Sequence, residues 1–262
     1  MRTIFSNVIA IYRKELQGYF ASPFAYVIAG IFWLLSGVLF LRILQDVQSV
    51  AAINDQIGGG RGVDVPYEVL VGFLGWLAVL ALFLLPMLSM GLYTEERKLG
   101  TLELLATSPL TNWSVALGKL LGVLTFFLTM VLPLLVYEAI ALGTTDPPLS
   151  WRLVALGHLG LLLMAAAILS LGMFISTLTS STILAAILTF ALMAVLLILN
   201  WVTQNVTGPA GEVLSHLSLL EHYSSLAQGI FELDSLVLLL SYTLLGLFLT
   251  AQSVDLFRYQ RS

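Results

Sequence analysis

Six runs of apolar residues, each long enough to cross a bilayer, divide the chain. A helix needs about 20 predominantly apolar residues to traverse the hydrocarbon core, and the stretches 24–44, 69–92, 120–142, 153–175, 183–201 and 236–257 reach that length. The last is the weakest, because its clean apolar core stops near Ala251 and Gln252 and Asp255 follow. Residues 1–23 carry a different pattern. Ile4, Val8, Ile11, Tyr12, Glu15, Leu16, Tyr19 and Phe20 recur near the helical period, with Arg13, Lys14 and Gln17 on other faces. That spacing predicts an amphipathic helix lying in the membrane interface, either a simple anchor or a working elbow. Ser22-Pro23 ends it, since proline disfavours helix at the residue before it. The first long apolar run starts only near Phe24 and is as long as a span, so the N-terminal region is expected to stay as an anchor rather than be cleaved as a signal peptide. The expected fold is a single all-α integral membrane domain over residues 1–262, with six transmembrane helices.

Composition agrees with this pattern. Of 262 residues 59% are hydrophobic and only 10% charged, with mean hydropathy +0.98, whereas soluble domains carry roughly a quarter charged residues. The absence of cysteine excludes disulfides, thiolate metal sites and a cysteine nucleophile. No basic stripe of the kind that binds nucleic acid is present. With six spans both termini share a side, which places Arg2, Arg13, Lys14, Arg97, Lys98, Lys119, Arg258 and Arg261 together and leaves Arg42, Arg61 and Arg152 opposite, 8 against 3 of the 11 basic residues. Basic residues stay inside, so both termini are expected in the cytoplasm.

The connection between the second and third spans holds an unusual density of charge: TEERKLGTLELLATSPLTNWSVALGK, Thr94 to Lys119. The second span can continue helically through Lys98 and stop at Gly100, with Arg97 and Lys98 complementing the dipole of its last turn. Thr101 is a plausible N-cap for a short helix with Glu103 in its first turn and Leu102, Leu105 and Ala106 on one face, ended by Ser108-Pro109. So short a helix is unstable alone and needs something to dock on; the other reading is an interfacial loop that only joins two spans. A further helix is expected from Thr111 or Asn112 into the third span, with Trp113 and Lys119 at the membrane boundary.

These residues resemble a family. The pattern EER-x-x-GT-x-E-x-L-x-x-x-P-x(8)-GK, carried by Glu95, Glu96, Arg97, Gly100, Thr101, Glu103, Leu105, Pro109, Gly118 and Lys119, is similar to the cytoplasmic connection of ABC-2-type permeases, the membrane subunits of ATP-driven exporters. KELQGYFASPFAYV, Lys14 to Val27, resembles the start of the gliding-motility-type branch, and LEHYSSLAQGIFELDS, Leu220 to Ser235, the segment before its last span. The resemblance implies a permease dimer, or a pair with a similar subunit, in a bacterial inner membrane, bound to two cytoplasmic ABC ATPase subunits. It implies that Thr101 to Thr107 is a coupling helix, so that Glu95, Glu96, Arg97, Gly100, Thr101, Leu102, Glu103, Leu105 and Pro109 form the ATPase-coupling site. No cofactor is expected in this chain; ATP and Mg²⁺ would sit on the partner ATPase. The chain is accordingly expected not to be an enzyme, in keeping with its lack of a Walker sequence: GGGRG at Gly58 to Gly62 has no GK[ST] ending and reads as part of a flexible connector spanning Gln45 to Glu68.

Other candidates concern the opposite side. Glu138 is the one acidic residue inside the clean apolar part of a predicted span, near its outer end, where it is expected to reach headgroups or a wet cleft; a place on the substrate path is one role for it. His216 and His222 are six apart, unlike a zinc helix. The segment around them is expected to form two short amphipathic helices at the outer interface, with Val213, Leu214, Leu217 and Leu220, then Tyr223, Leu226, Ile230 and Phe231 as their apolar faces; by resemblance these cover the exit of the path. Small residues in span four, Gly157, Gly160, Ser170 and Gly172 among them, and Gly72 and Gly75 in span two, favour close helix packing. A stand-alone secondary carrier or channel is the competing class, and would require polar residues converging at the bilayer midplane; an intramembrane hydrolase built on His216, Glu221 and His222 is a third.

Overall fold

The computed structural model describes residues 2–57, 63–101, 111–143, 145, 149–205, 208 and 214–259. Among them every regular element is a helix: α1 (Arg2–Ala21), α2 (Pro23–Ile57), α3 (Val65–Ser89), α4 (Gly91–Lys98), α5 (Asn112–Leu142), α6 (Trp151–Leu178), α7 (Thr182–Asn205), α8 (Leu219–Ala227) and α9 (Leu233–Tyr259). Six are long and apolar enough to cross a membrane, α3 and α4 counting as one. Each coincides with one of the six apolar runs. Within the apolar runs of α2, α7 and α9 large apolar side chains are exposed, Leu34, Val38, Ile187, Ile198, Leu240 and Leu244 among them, as a lipid-facing surface requires.

The structure lengthens one element. Where a connector was expected from Gln45, α2 runs on to Ile57. No glycine or proline interrupts the segment before Gly58, and Val47 still packs against the core, so the helix has no reason to stop. The GGGRG stretch lies outside the described residues. Elsewhere the boundaries follow the local chemistry. Thr111 caps α5 by accepting from the Ser114 amide at 3.3 Å, and α1 gives way to α2 at Ser22-Pro23. Span two is continuous through α3 and α4: Met90 between them has helical dihedrals and donates to the Pro86 carbonyl at 3.0 Å, and the one bond Pro86 cannot make is that to the carbonyl four residues before it.

The bundle is built around α6, which touches α3, α4, α5, α7, α8 and α9. Its small residues set those contacts. A side chain at Gly157 would strike Leu74 of α3, one at Gly160 would meet Leu226 of α8, one at Gly172 would strike Ser89 of α3, and Ser170 lies against Gly246 of α9. Without a hydrophobic drive between helices in lipid, such close approach is the main source of packing energy. In span two a side chain at Gly72 would lie 3.3 Å from Ile43 of α2, whereas Gly75 borders open space.

One segment is placed differently from expectation. α8 is not spread on an interface: Leu219, Tyr223, Leu226 and Ala227 are buried, and the Tyr223 hydroxyl donates to the Leu74 carbonyl at 2.7 Å. Burial, with the nearby Glu138 adding to it, raises this phenol's pKa far above its usual range, so it remains a donor. Ser218 and Glu221 start the helix as Ser-x-x-Glu, with the Ser218 hydroxyl accepting from the Glu221 amide. Its stripe is deep enough to enter the bundle because Gly160 leaves room for Leu226. Of the first of the two expected helices the described residues hold one helical turn, 214–217, directly before α8.

Candidate functional site

The charged connection closes on itself at the end of α4. Gly100 has φ +71°; its amide donates to the Arg97 carbonyl and the Thr101 amide to the Glu96 carbonyl, at 3.3 and 2.9 Å. This is a Schellman closure, for which glycine is favoured because it alone enters the left-handed region without penalty. The Thr101 hydroxyl also turns back to the Glu96 carbonyl. Leu102, Glu103, Leu105 and Pro109, with the proposed N-cap role of Thr101 toward them, lie outside the described residues.

Beside this closure stands a buried cluster of charges. Lys119 of α5 is 2% exposed, and its ammonium lies 2.9 Å from Glu15 Oε1 of α1, 2.9 Å from Glu96 Oε1 of α4 and 2.7 Å from the Leu92 carbonyl. The ammonium donates to Glu15 and to the Leu92 carbonyl, and is ion-paired with Glu96, which accepts from Lys14. The Tyr93 ring lies 5.0 Å away on a further side. From the solvent side Lys14, whose side chain is 71% exposed, approaches Glu96 at 3.5 Å and Glu15 at 3.8 Å. Two cations and two carboxylates thus join α1, α4 and α5, and the group is neutral overall.

The amphipathic stripe of α1 accounts for the geometry. Val8, Ile11, Tyr12, Glu15, Leu16 and Tyr19 form its half-buried face, and they lie on α5 where Gly118 and Gly122 remove side chains. Tyr19 stacks on Phe126 at 5.1 Å and donates to the Leu88 carbonyl at 2.6 Å. Burial first, then the charges of Glu15 and Glu95, raise the Tyr19 pKa far above its usual range, which preserves that donor. Lys119 therefore faces α1 and α4 rather than the outside of the bundle. It is drawn inward because α1 covers it and supplies the carboxylate it needs. Glu15 was legible as the odd polar position in an apolar stripe, and such a position calls for a buried partner.

The remaining charged positions divide. Arg97 reaches across to the Thr177 carbonyl at the end of α6, 2.7 Å away; Thr177 in turn bonds Ser253 of α9 at 2.8 Å. Asn112 donates to Asp255 of α9. Glu95 faces a separate cavity of about 210 Å³ shared with Glu15, Tyr19, Ser22 and Met90.

Glu138 lies elsewhere. It is 1% exposed and lines a narrow cavity of about 10 Å³ with Leu142, Trp151 and Val154; α6 presents His158 to it, whose Nε2 lies 3.4 Å from Glu138 Oε1. His158 Nδ1 lies 2.9 Å from the Val154 carbonyl, which can only accept, so Nδ1 carries hydrogen and Nε2 faces the carboxyl group. At 3.4 Å the two groups approach without a hydrogen bond, and neither carboxyl oxygen nor Nε2 has a hydrogen-bond partner among the described residues. His158 sits inside a predicted span, and the rule that singles out Glu138 applies to it equally. Replacing Glu138 with leucine is expected to destabilise the bundle by about 2 kcal/mol, since it puts an apolar group in place of the one polar group that faces the buried imidazole; adding His158→Leu should restore much of the loss, read as thermal unfolding in detergent. At α8, His222 is held by the Ser235 hydroxyl at 2.9 Å and the His216 carbonyl at 3.3 Å, which occupies both ring nitrogens in structural contacts. No group of His, Asp and Glu fit for a metal occurs among the described residues.

Six apolar helices, α6 at their centre, with few buried charges among the described residues, define a multi-pass membrane protein. Its class follows from the family model described as ABC-2 family transporter protein, which matches residues 67–220, more than half of the chain. The chain belongs to that family and is a permease subunit of an ABC transporter. The family forms the membrane component, not the ATPase, and works with ATPase partners. No curated protein matches the chain.

Proposed function

We propose that this permease forms its translocation path together with a second copy or a similar subunit, and is driven as an exporter by two ABC ATPase subunits bound at the α1 end of the bundle. That end is cytoplasmic on the distribution of Lys and Arg, in a bacterial inner membrane. The resemblance of Lys14 to Val27 to the gliding-motility-type branch belongs to the same reading. ATP and Mg²⁺ are held by the partner; the coupling site of this chain is Glu95, Glu96, Arg97, Gly100 and Thr101, continuing into Leu102, Glu103, Leu105 and Pro109.

The observation that carries the reading is the cluster at Lys119. A force applied to the connection after Gly100 acts first on α4, and α4 is tied through Glu96 to α1 and α5 and through Arg97 to α6. A segment that only joined two spans would need none of these ties. Glu138 enters the path in this reading only when α5 and α6 part at the His158 contact.

The test is purification of the full chain from its native membrane in mild detergent. An ABC ATPase should copurify in equal number, and Glu103→Lys should lower the ATPase rate of the complex about tenfold while leaving the subunits associated. A chain that purifies without an ATPase, or a Glu103→Lys complex with unchanged hydrolysis, overturns the proposal.

A further inference from the structure

We propose that Lys14 and Lys119 are positioning residues of a divisible joint: the four-charge cluster splits into two neutral pairs, Lys119 with Glu15 and Lys14 with Glu96, as α4 moves away from α1 and α5. The proposal rests on the coupling role assigned above to α4, and it adds how the buried charges permit that motion.

The argument begins from the cost of separating buried charges. Breaking a buried ion pair is expensive because it strands a charge, so a joint held by one cation and one anion would resist opening strongly. Here the stoichiometry is two to two. Lys119 is buried and shared by Glu15 and Glu96 at equal distance, 2.9 Å each. Lys14 is exposed, and reaches both carboxylates from outside at longer distance. If Glu96 leaves with Lys14, Lys119 keeps Glu15 and no charge is abandoned.

Two features identify Glu96 as the member that leaves. Its Oε2 is buried with no hydrogen-bond partner, so departure toward water regains hydration that the closed arrangement denies it. A cleft of about 240 Å³, lined by Lys14, Glu15, Glu96, Val115 and Lys119 among others, adjoins the cluster, and gives the side chain and water somewhere to go. Glu15 has the opposite character. Its helix is locked on α5, where Gly122 lies against the Glu15 Cβ and Gly118 against Ile11, so Lys119 and Glu15 move as one body. The long, solvated stem of Lys14 lets it follow Glu96 over several ångströms without backbone motion.

An exposed lysine of ordinary structural kind contributes little when removed, and this distinguishes the proposal from a static network. The chain has no cysteine, so Gln17→Cys on the exposed face of α1 and Leu99→Cys at the end of α4 can carry a pair of spin labels specifically. In lipid nanodiscs the label distances should show a short majority and a longer minority population. Lys14→Met should reduce the longer population about tenfold, Lys14→Arg should restore it, and in a Glu96→Gln background Lys14→Met should have no effect, since a neutral side chain needs no escort. A single distance unaffected by Lys14→Met, or an equal effect of Lys14→Met in the Glu96→Gln background, overturns the proposal. In the ATPase complex, Lys14→Met should slow turnover about tenfold without changing the KM for ATP, and unchanged turnover also counts against it. The label measurement needs no ATPase, so failure of a partner to copurify sinks the functional reading and leaves the joint to be judged on the distances.

Discussion

Lys119→Met is expected to destabilise the bundle by about 3 kcal/mol, at the low end of what breaking a buried ion pair costs. Methionine matches the lysine stem in length and keeps its apolar contacts, so the loss is electrostatic: two carboxylates lose their common cation, and Glu15 and the Leu92 carbonyl a donor. Lys14 can recover part of that by turning inward, which keeps the effect from the top of the range. The control is the same substitution in a Glu15→Gln, Glu96→Gln background. There no buried charge is stranded, and Lys119→Met should cost less than about 1 kcal/mol. Thermal unfolding in detergent, followed by tryptophan fluorescence, reads both. An equal loss in the two backgrounds would mean that packing, not charge, holds the site. Lys119→Arg should not rescue, because a planar guanidinium with five donors does not meet these groups from the space of an ammonium.

The spans were legible because a bilayer imposes one length on all of them, and six apolar runs therefore mark six helices whatever their neighbours do. The stop at Gly100 and the start at Thr111 were legible for a similar reason: the left-handed turn and the side-chain cap are local chemistry. What pairs with what was not. Lys119 at a span end satisfies the rule for a snorkelling residue as well as that for a buried one, and the difference is made by α1, which lies more than 90 residues earlier in the chain. The same holds for α8, whose apolar face fits an interface or a bundle equally; Gly160 of α6 decides the matter by leaving space for Leu226. Glu138 could be singled out as an intramembrane charge, but its partner had to be sought on another helix, and only the approach of α6 to α5 identifies His158.

Gly118 and Gly122 should be nearly as sensitive as Lys119, and for a reason visible only in the packing of α1. An added methyl at Gly118 would lie 2.8 Å from Ile11 Cβ and 3.0 Å from the Val8 carbonyl; at Gly122 it would lie 2.8 Å from Glu15 Cβ and 3.4 Å from the Leu16 amide. Some of these neighbours are backbone and cannot rotate away, so α1 itself must lift. Overpacking of this kind costs about 1–3 kcal/mol, which exceeds the gain of at most about 1 kcal/mol that alanine brings to a helix interior. The net sign is destabilising, and it falls on α1 alone. Hydrogen exchange should therefore show the α1 amides opening about tenfold faster in Gly118→Ala or Gly122→Ala, with α6 unchanged, a tenfold change corresponding to about 1.4 kcal/mol. Gly18, on the outer side of α1, provides the contrast: a methyl there meets nothing within 4 Å. Gly18→Ala should slow exchange in α1, since only the propensity term remains. Opposite signs for one substitution on the two sides of a single helix contact would establish that α1 is docked on α5; the same sign at all three glycines would leave α1 lying free on the membrane surface.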